Sequence, residues 1–180
     1  MLKKLLVFVF IFFVGSDAFA LDGVGVLTGY FDGNLKYKAD YRGIPILVPF
    51  NFTLKESDGV LKPKVEFIVE PLVNTIVSPD TNIEAGSNFL LNLVLPLNER
   101  FMPFLKGGIG ALYMSQHTGQ QGSQWNFLPQ AGMGFYWFFD ETTAFTCEYR
   151  FRHLSNCGIV KPNGGINVRM ILAGITYFFK

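Results

Sequence analysis

The chain has 180 residues and is nearly neutral, with 15 basic and 14 acidic side chains. This balance gives no indication of a nucleic-acid partner. Aromatic residues make up 16% of the chain and charged residues only 16%, a composition that is unusual for a water-soluble exported domain. An apolar exported chain without transmembrane helices has one common solution, a closed β-barrel in a membrane.

The chain begins with a segment typical of a secretory signal peptide. Two lysines precede an unbroken apolar run, residues 5–14, and an Ala-Phe-Ala sequence then provides a small-x-small cleavage site. The apolar run is shorter than the ~20 residues that a transmembrane helix needs. We therefore predict a signal peptide over residues 1–20, cleaved after Ala20, and a single barrel domain over residues 21–180.

A period of two in the rest of the chain predicts β-strands. In residues 124–139 the odd positions are mostly large and apolar, with Trp125 and Trp137 towards the two ends. The even positions include Asn126 and Gln130. An apolar face with aromatic ends is typical of a transmembrane strand. The same alternation predicts eight strands, over residues 23–32, 42–54, 64–77, 83–97, 101–116, 124–139, 143–156 and 166–179.

The soluble alternative is a lipocalin-like barrel, in which the apolar face would point inward. Periodicity alone does not separate the two architectures. The apolar face, however, carries most of the large aromatic residues, whereas the opposite face carries Glu, Asn, Gln, Lys and Gly, which can fill a small interior as a polar plug. We therefore predict an all-β fold, an eight-stranded antiparallel transmembrane β-barrel in the bacterial outer membrane. Pro45 and Pro49 make its second strand the least regular, because proline removes ladder donors.

The strand order also predicts the topology. With both chain ends periplasmic, residues 98–100 and 140–142 form short periplasmic turns, and the loops near 33–41, 115–123 and 157–165 face the outside. The two cysteines then lie far apart, because Cys147 is inside a strand and Cys157 is in the loop beyond it. We predict two free thiols.

The seventh predicted strand presents a candidate catalytic pair. Alternation places Glu148, Arg150 and Arg152 in the lumen, where the arginines can pair with glutamates of other strands, and it places His153 and Ser155 on the lipid side. Polar groups that face hydrocarbon are costly, so such residues are functional candidates. An imidazole beside a serine can activate the hydroxyl as a nucleophile. The alternative interpretation is a pair of interfacial polar residues at headgroup level.

The segments HLSN, KPN and GIN within residues 153–167 resemble the lipid A 3-O-deacylase (PagL) family. The resemblance implies an eight-stranded barrel that removes the ester-linked acyl chain at position 3 of lipid A. It also implies a Ser-His-Glu triad on the lipid-facing outside of the barrel. By this resemblance Ser155 is the nucleophile, His153 is the base, and Asn156 and Gly158 donate hydrogen bonds to the oxyanion.

The third member of the triad departs from the family. The spacing places the family's glutamate at Asn167, which has an amide instead of a carboxylate. An amide can fix the tautomer of the imidazole, as in Cys-His-Asn sites, but it supplies no negative charge. Glu148 cannot substitute for it, because alternation directs that side chain into the lumen.

The remaining expectations concern substrate and partners. Arg169 shares a face with Asn167, where it either snorkels to the headgroups or pairs with a phosphate of lipid A. Lys161 in the outer loop is a second substrate-binding candidate. The implied reaction uses lipopolysaccharide as substrate and needs neither cofactor nor metal; a homodimer is compatible with the sequence. The alternative functions are a non-catalytic structural or surface-interaction barrel and, third, a small pore.

Overall fold

The computed structural model describes residues 20–35, 40–58, 62–116 and 119–180. The predicted signal peptide lies outside the described residues, apart from Ala20. Within the described ranges, no helix has the length and apolar character to cross a membrane. The described residues form ten β-segments: β1 Leu21–Asn34, β2 Asp40–Leu47, β3 Phe50–Glu56, β4 Lys64–Ser78, β5 Asn82–Val94, β6 Phe101–Met114, β7 Trp125–Phe127, β8 Gln130–Phe138, β9 Thr143–Leu154 and β10 Ile166–Phe178.

These segments make eight antiparallel strands that close into a barrel. The pair β2 and β3 forms one strand between β1 and β4, and the pair β7 and β8 forms one strand between β6 and β9. Closure is made by β1 and β10, which pair from Gly23 with Phe178 to Asn34 with Asn167. The predicted eight-stranded barrel is confirmed. We call the end that carries both chain ends of the barrel the periplasmic end, and the opposite end the outer end.

Two prolines interrupt strands without opening the wall. At the first interruption Pro49 lacks an N–H, but its carbonyl accepts a hydrogen bond from Gly25 N at 2.9 Å. At the second, the carbonyl of Pro129 accepts from His153 N at 3.0 Å. The sequence indicated the first irregularity, whereas it predicted a continuous strand across the second. Pro45, in contrast, lies inside β2 opposite Asn74.

The lumen contains a belt of paired charges. Arg150 donates to Glu70 at 2.6 Å and to Glu148 at 2.5 Å, and Arg152 lies 3.3 Å from Glu84. The side chains of these residues are at most 2% exposed. The predicted lumenal pairing of the two arginines is therefore confirmed. The Arg150–Glu70 and Arg152–Glu84 pairs join β9 to β4 and β5, so they tie separate walls of the barrel together, whereas Arg150–Glu148 lies within β9.

Apolar clusters lie beside this belt, which corrects the expectation of a wholly polar interior. A larger cluster in the outer half includes Leu27, Phe31 and Leu112. A smaller cluster at the periplasmic end includes Phe104 and Tyr136, whose ring centroids are 4.8 Å apart. The interior of an eight-stranded barrel is just wide enough for side chains to fill, and large apolar residues fill it without needing polar partners.

The outer surface of the barrel is apolar and aromatic. Trp125 near the outer end is 64% exposed, and Trp137 near the periplasmic end is 46% exposed. Met133 and Leu105, between these two levels, are also more than half exposed. Aromatic residues at two levels with aliphatic residues between them match the girdles and apolar band of a transmembrane barrel.

Candidate functional site

His153 and Ser155 lie where the outer end of β9 passes the break between β7 and β8. The backbone of Ser155 forms two hydrogen bonds with Phe127, Phe127 N to Ser155 O at 2.7 Å and Ser155 N to Phe127 O at 3.1 Å. Their neighbours Arg152, Leu154 and Asn156 are buried, whereas His153 and Ser155 are half-buried on the outward side of the strand. The wall therefore fixes the backbone of both residues.

Asn167 holds one nitrogen of the His153 ring. The two residues are direct partners in the β9–β10 register, and His153 Nδ1 lies 2.6 Å from Asn167 Oδ1. An amide oxygen only accepts hydrogen bonds, so a neutral imidazole in this contact carries its proton on Nδ1. The lone pair of Nε2 is then available to accept a proton.

Gly165 lies against the other side of the same ring. A Cβ at this position would come within 2.6 Å of His153 Cε1 and 3.0 Å of Nε2. The backbone of Gly165 has φ of +66°, in the left-handed region that favours glycine. The ring is therefore seated between an amide and a residue that has no side chain. Gly165 belongs to the GIN motif, but the sequence does not indicate its contact with His153.

The described residues show no hydrogen bond between the Ser155 hydroxyl and His153. Side chains at positions i and i+2 share a face of a strand, so the two groups are neighbours on the same side of the wall. Hydrogen bonds between catalytic groups are often long in structures without substrate and tighten when the substrate binds.

The two sequence-predicted oxyanion donors are engaged within their own turn. Asn156 N donates to Asn163 Oδ1 at 3.0 Å, and Gly158 N donates to Asn156 Oδ1 at 3.0 Å. Asn156 Nδ2 donates in turn to Val160 O at 2.8 Å. An oxyanion that accepted hydrogen bonds from these two backbone N–H groups would have to displace the side-chain oxygens of Asn163 and Asn156.

A second outer loop is fastened to this turn. Gln121 and Asn163 form an antiparallel bridge, and Gly164 N donates to Gln120 O at 2.8 Å. These contacts join residues 120–121, before β7, to residues 163–164, before β10. Lys161 is exposed in the second of these loops and makes no ion pair with any described residue.

Arg169 is exposed on the outward side of β10, two residues beyond Asn167. In the barrel register it lies between Phe151 of β9 and Asp32 of β1. A surface hollow beside it is lined by Gly33, Asn34, Phe151, Asn167 and Arg169. The hollow therefore joins Arg169 to the amide that contacts His153.

The other reactive groups are the two thiols and the side chains that could bind a metal ion. Cys147 and Cys157 are both free, as predicted. In the described part of the chain, no group of three or more His, Cys, Asp or Glu side chains is arranged to hold a metal ion.

The fold is shared with solved outer-membrane proteins. Neisserial surface protein A (NspA) superimposes with a TM-score of 0.67 at 11% sequence identity, covering 91% of this chain and 100% of that chain. The outer-membrane enzyme PagL superimposes with a TM-score of 0.63 at 17% identity, covering 84% of this chain and 97% of that chain. The N-terminal barrel domain of Pseudomonas aeruginosa OprF gives 0.51 at 12% identity, with 88% and 98% covered. The chain therefore has the fold of these proteins, a closed eight-stranded β-barrel.

The sequence match goes further than the fold. The family model of lipid A 3-O-deacylase (PagL) matches residues 23–176, and the chain belongs to this family. No curated protein sequence matches the chain. Family and fold together support a lipid A deacylase-like function in the bacterial outer membrane. The homodimer that the sequence left open finds no support.

Proposed function

We propose that the protein is an esterase that hydrolyses an ester-linked acyl chain of lipid A in the outer leaflet, with Ser155 as nucleophile and His153 as base. The observation that carries this proposal is the 2.6 Å contact between His153 Nδ1 and Asn167 Oδ1 on the outward side of the wall. The contact holds the imidazole on the face of the strand that Ser155 shares, and polar side chains at a lipid-facing surface are costly, which makes such residues functional candidates.

The proposed reaction has two halves. The Ser155 hydroxyl attacks the acyl carbonyl carbon while its proton passes to His153 Nε2. The tetrahedral intermediate then collapses, the ester C–O bond breaks, and His153 returns the proton to the departing sugar oxygen. Water, activated by the same imidazole, hydrolyses the acyl-serine and releases a fatty acid. No cofactor takes part in either half.

Asn167 orients the base without a charge. Its oxygen keeps the Nδ1 tautomer, which leaves Nε2 correctly placed for the serine proton. The imidazolium that forms during the attack gains only a neutral hydrogen bond from the amide. We therefore expect a slower enzyme than one with a carboxylate at this position.

The oxyanion is stabilised by the turn after Ser155. We assign Asn156 N and Gly158 N as its donors, because they follow the nucleophile directly and backbone N–H groups near a developing charge stabilise it. Both amides now bond to neutral side-chain oxygens. A hydrogen bond to an anion is stronger than one to a neutral oxygen, so the substrate oxygen can displace them.

An apolar groove provides a course for the acyl chain. It has a volume of about 480 Å³ and includes Leu105, Met133 and Tyr149 on the outward side of β6, β8 and β9. Tyr149 lies in β9, six residues before Ser155, which corresponds to about 20 Å at ~3.4 Å per residue. An acyl chain that descends from Ser155 therefore runs towards an apolar groove in the bilayer interior.

The headgroup is held above the ester. Arg169 is suited to a phosphate because its planar guanidinium can form two parallel hydrogen bonds. Lys161, in the loop between β9 and β10, is a second positive charge for the same headgroup. Both side chains are exposed on the outer part of the barrel.

The direct test is mass spectrometry of lipid A from Gram-negative cells that express the protein. We expect the loss of one ester-linked hydroxyacyl chain, and no loss with Ser155→Ala or His153→Ala. A matched control is Ser115→Ala, which removes an exposed serine at the outer end of the barrel away from His153. An unchanged lipid A in cells with correctly folded wild-type protein contradicts the proposal.

A second candidate function is a non-catalytic surface barrel that keeps the motif. Two observations favour it, the neutral residue at position 167 and the engagement of both proposed oxyanion donors. This alternative expects folded, membrane-inserted protein with unaltered lipids. It also expects that a serine-directed phosphonate does not label Ser155, whereas the esterase becomes labelled at Ser155 and not in the Ser155→Ala variant.

A further inference from the structure

A row of charged side chains crosses the outside of the wall next to the candidate site. Arg169 of β10 pairs in register with Asp32 of β1, and Asp32 pairs with Arg42 of β2. All three side chains are exposed on the outward side of their strands. We call these three residues the polar ribbon. It begins beside Asn167 and reaches the outer rim at Arg42, which is paired with Ser78 at the end of β4.

The ribbon is not a general property of the outer rim. The outward side of the opposite wall carries Ile83, Tyr113 and Trp125 near its outer end, and these residues are 55%, 37% and 64% exposed. Tyr113 and Trp125 pack against each other with ring centroids 5.5 Å apart. Among the described residues, charged side chains therefore replace aromatic and aliphatic ones in the sector that adjoins His153 and Asn167.

The charges of the ribbon are incompletely paired. Arg169 and Asp32 form no ion pair within the described residues, although they are register partners. Arg42 contacts Asp40 at 2.8 Å, and both side chains are 49% exposed. In the lumen, by comparison, Arg150 has two carboxylate partners. An exposed charge at the edge of a bilayer, without a protein partner, is available to a charged group of a lipid.

We propose that the polar ribbon binds the phosphorylated sugar headgroup of an outer-leaflet glycolipid, with Arg169 and Arg42 each contacting a phosphoryl group and Asp32 accepting a hydrogen bond from a sugar hydroxyl. The proposal rests on the proposed function only for the identity of that glycolipid. It adds a third cationic position, Arg42, and a direction: the headgroup extends from the site across β1 to β2.

The spacing of the ribbon fits two separate anionic groups. Neighbouring strands are ~4.8 Å apart, so the backbones of Arg169 and Arg42 are separated by roughly 10 Å. One phosphoryl group cannot satisfy both guanidinium groups with good geometry unless both side chains fold inward over Asp32. Two phosphoryl groups on a disaccharide satisfy each arginine in an extended conformation, with two hydrogen bonds each. Asp32 between them repels a phosphate directly and favours a hydroxyl donor.

The test is lipid binding by the full chain in detergent micelles, with Ser155→Ala in all proteins so that turnover cannot alter the ligand. The variant is Arg42→Gln with Arg169→Gln, and the matched control is Arg100→Gln, which removes an arginine from a periplasmic turn. The probes are diphosphoryl lipid A, lipid A without its phosphates, and phosphatidylglycerol. Lipid bound per protein is counted by native mass spectrometry across a titration, after an electrophoretic check that each barrel is folded.

We expect the double variant to bind diphosphoryl lipid A about 100-fold more weakly, roughly ten-fold per guanidinium. Its binding of phosphate-free lipid A and of phosphatidylglycerol should change by less than about two-fold, and Arg100→Gln should bind every probe as the parent does. The proposal is overturned if the double variant keeps its affinity for diphosphoryl lipid A. It is also overturned if all three probes weaken equally.

Failure of this proposal is distinguishable from failure of the proposed function. If the double variant loses lipid A binding but wild-type protein leaves lipid A intact in cells, the ribbon binds a headgroup and the esterase proposal is wrong. If wild-type protein deacylates lipid A while the double variant binds it unchanged, the esterase stands and the ribbon has no role in binding.

Discussion

Charged side chains occur on both sides of the barrel wall, and their surroundings differ. Inside, Arg150 lies within 2.6 Å of Glu70 and 2.5 Å of Glu148, and it is almost fully buried. Outside, Arg169 is exposed and has no ion-pair partner among the residues that the structure describes. The two arginines lie close together in the register of neighbouring strands, since Arg150 pairs with Met170 and Phe151 pairs with Arg169.

This difference follows from the surroundings of each charge. A buried arginine must be satisfied by the protein itself, because an unpaired charge in the lumen is costly. An arginine at the bilayer edge has no such requirement, and its partner can come from a lipid. Two arginines that are close together in the β9–β10 register are therefore in different situations: Arg150 is paired within the protein, whereas Arg169 remains open to the lipid contact that we propose.

Removing the lumenal charge should have the largest effect on stability. Arg150→Met leaves Glu70 and Glu148 without their shared cation, and we expect the free energy of unfolding to fall by about 3–5 kcal/mol. Arg169→Met on the outside should change it by less than ~0.5 kcal/mol. Urea unfolding in lipid vesicles measures both. Equal losses for the two variants would remove the distinction between inside and outside charges.

Adding a methyl group at Gly165 should displace the His153 ring, the proposed base. Gly165→Ala strains a left-handed backbone by roughly 1–2 kcal/mol and forces the His153 ring away from its position. We expect the deacylation rate to fall at least about ten-fold, corresponding to ~1.4 kcal/mol in the barrier.

Gly119→Ala is the matched control for this change, because a Cβ at Gly119 meets nothing within 4 Å. Rates are compared on detergent-solubilised lipid A with equal amounts of folded protein. If both alanine variants deacylate at the wild-type rate, the contact between Gly165 and His153 does not position the base.

Restoring a carboxylate beside His153 should accelerate the reaction. Asn167→Asp keeps the shape of the side chain and replaces a neutral hydrogen bond with a charged one, a gain of about 1 kcal/mol for the imidazolium, so we expect a rate about five-fold higher. Asn167→Ala should lower the rate by a similar or larger factor, because it removes the orienting oxygen. Steady-state release of fatty acid measures both. Identical rates for the Asp and Ala variants would show that position 167 does not act on the base.

The smallest effect is expected at a periplasmic turn. Hydrogen bonds from the backbone N–H and side chain of Thr142, and from Thr143 N, lower the pKa of Asp140 below its usual value of 3.8. Because folding lowers the pKa of Asp140, its carboxylate stabilises the fold at pH values above the pKa that Asp140 has in the unfolded chain. This stabilisation is lost as the pH falls through the pKa that Asp140 has in the folded protein. Asp140→Asn lacks this contribution at every pH.

The difference in unfolding free energy between wild type and Asp140→Asn should therefore be largest near neutral pH and shrink below about pH 4. Subtracting the two unfolding free energies removes the contribution of the other carboxylates, because these titrate in both proteins. A difference that stays constant from pH 7 to pH 3 would show that the turn gains nothing from the charge of Asp140.

Most of the fold was predictable because alternation is local. Each strand carries its own inward and outward residues, so eight strands could be read from the sequence without knowing which strands are neighbours. Pro129 was missed because a single proline does not disturb the alternation on either side of it. The apolar clusters were missed because the same alternation does not reveal how residues such as Phe31 and Leu112 meet across the lumen.

The candidate site could be predicted from sequence periodicity only for residues that lie on the same strand. His153 and Ser155 follow from a period of two, and the motif resemblance supplied Asn167. The seat at Gly165 depends on a backbone angle, and the engagement of Asn156 N depends on how Asn163 folds back over the turn. Neither has a local sequence signal.

The polar ribbon depends on barrel closure. Asp32 and Arg42 fall at the end of the first strand and the start of the second, where the sequence indicates only the approach to an outer loop. Their alignment with Arg169 arises because β1 pairs with both β2 and β10. Such an alignment appears only when the first and last strands meet.

The packing of the lumen determines by which route water reaches the proposed site and the fatty acid leaves it. Apolar clusters occupy both the outer half and the periplasmic end of the barrel. Hydrolytic water and the released fatty acid must then travel along the exterior, through the interface between lipid and the extracellular medium. The reaction we propose should accordingly respond to the acidity and ions outside the cell, while the composition of the periplasm leaves it unaffected.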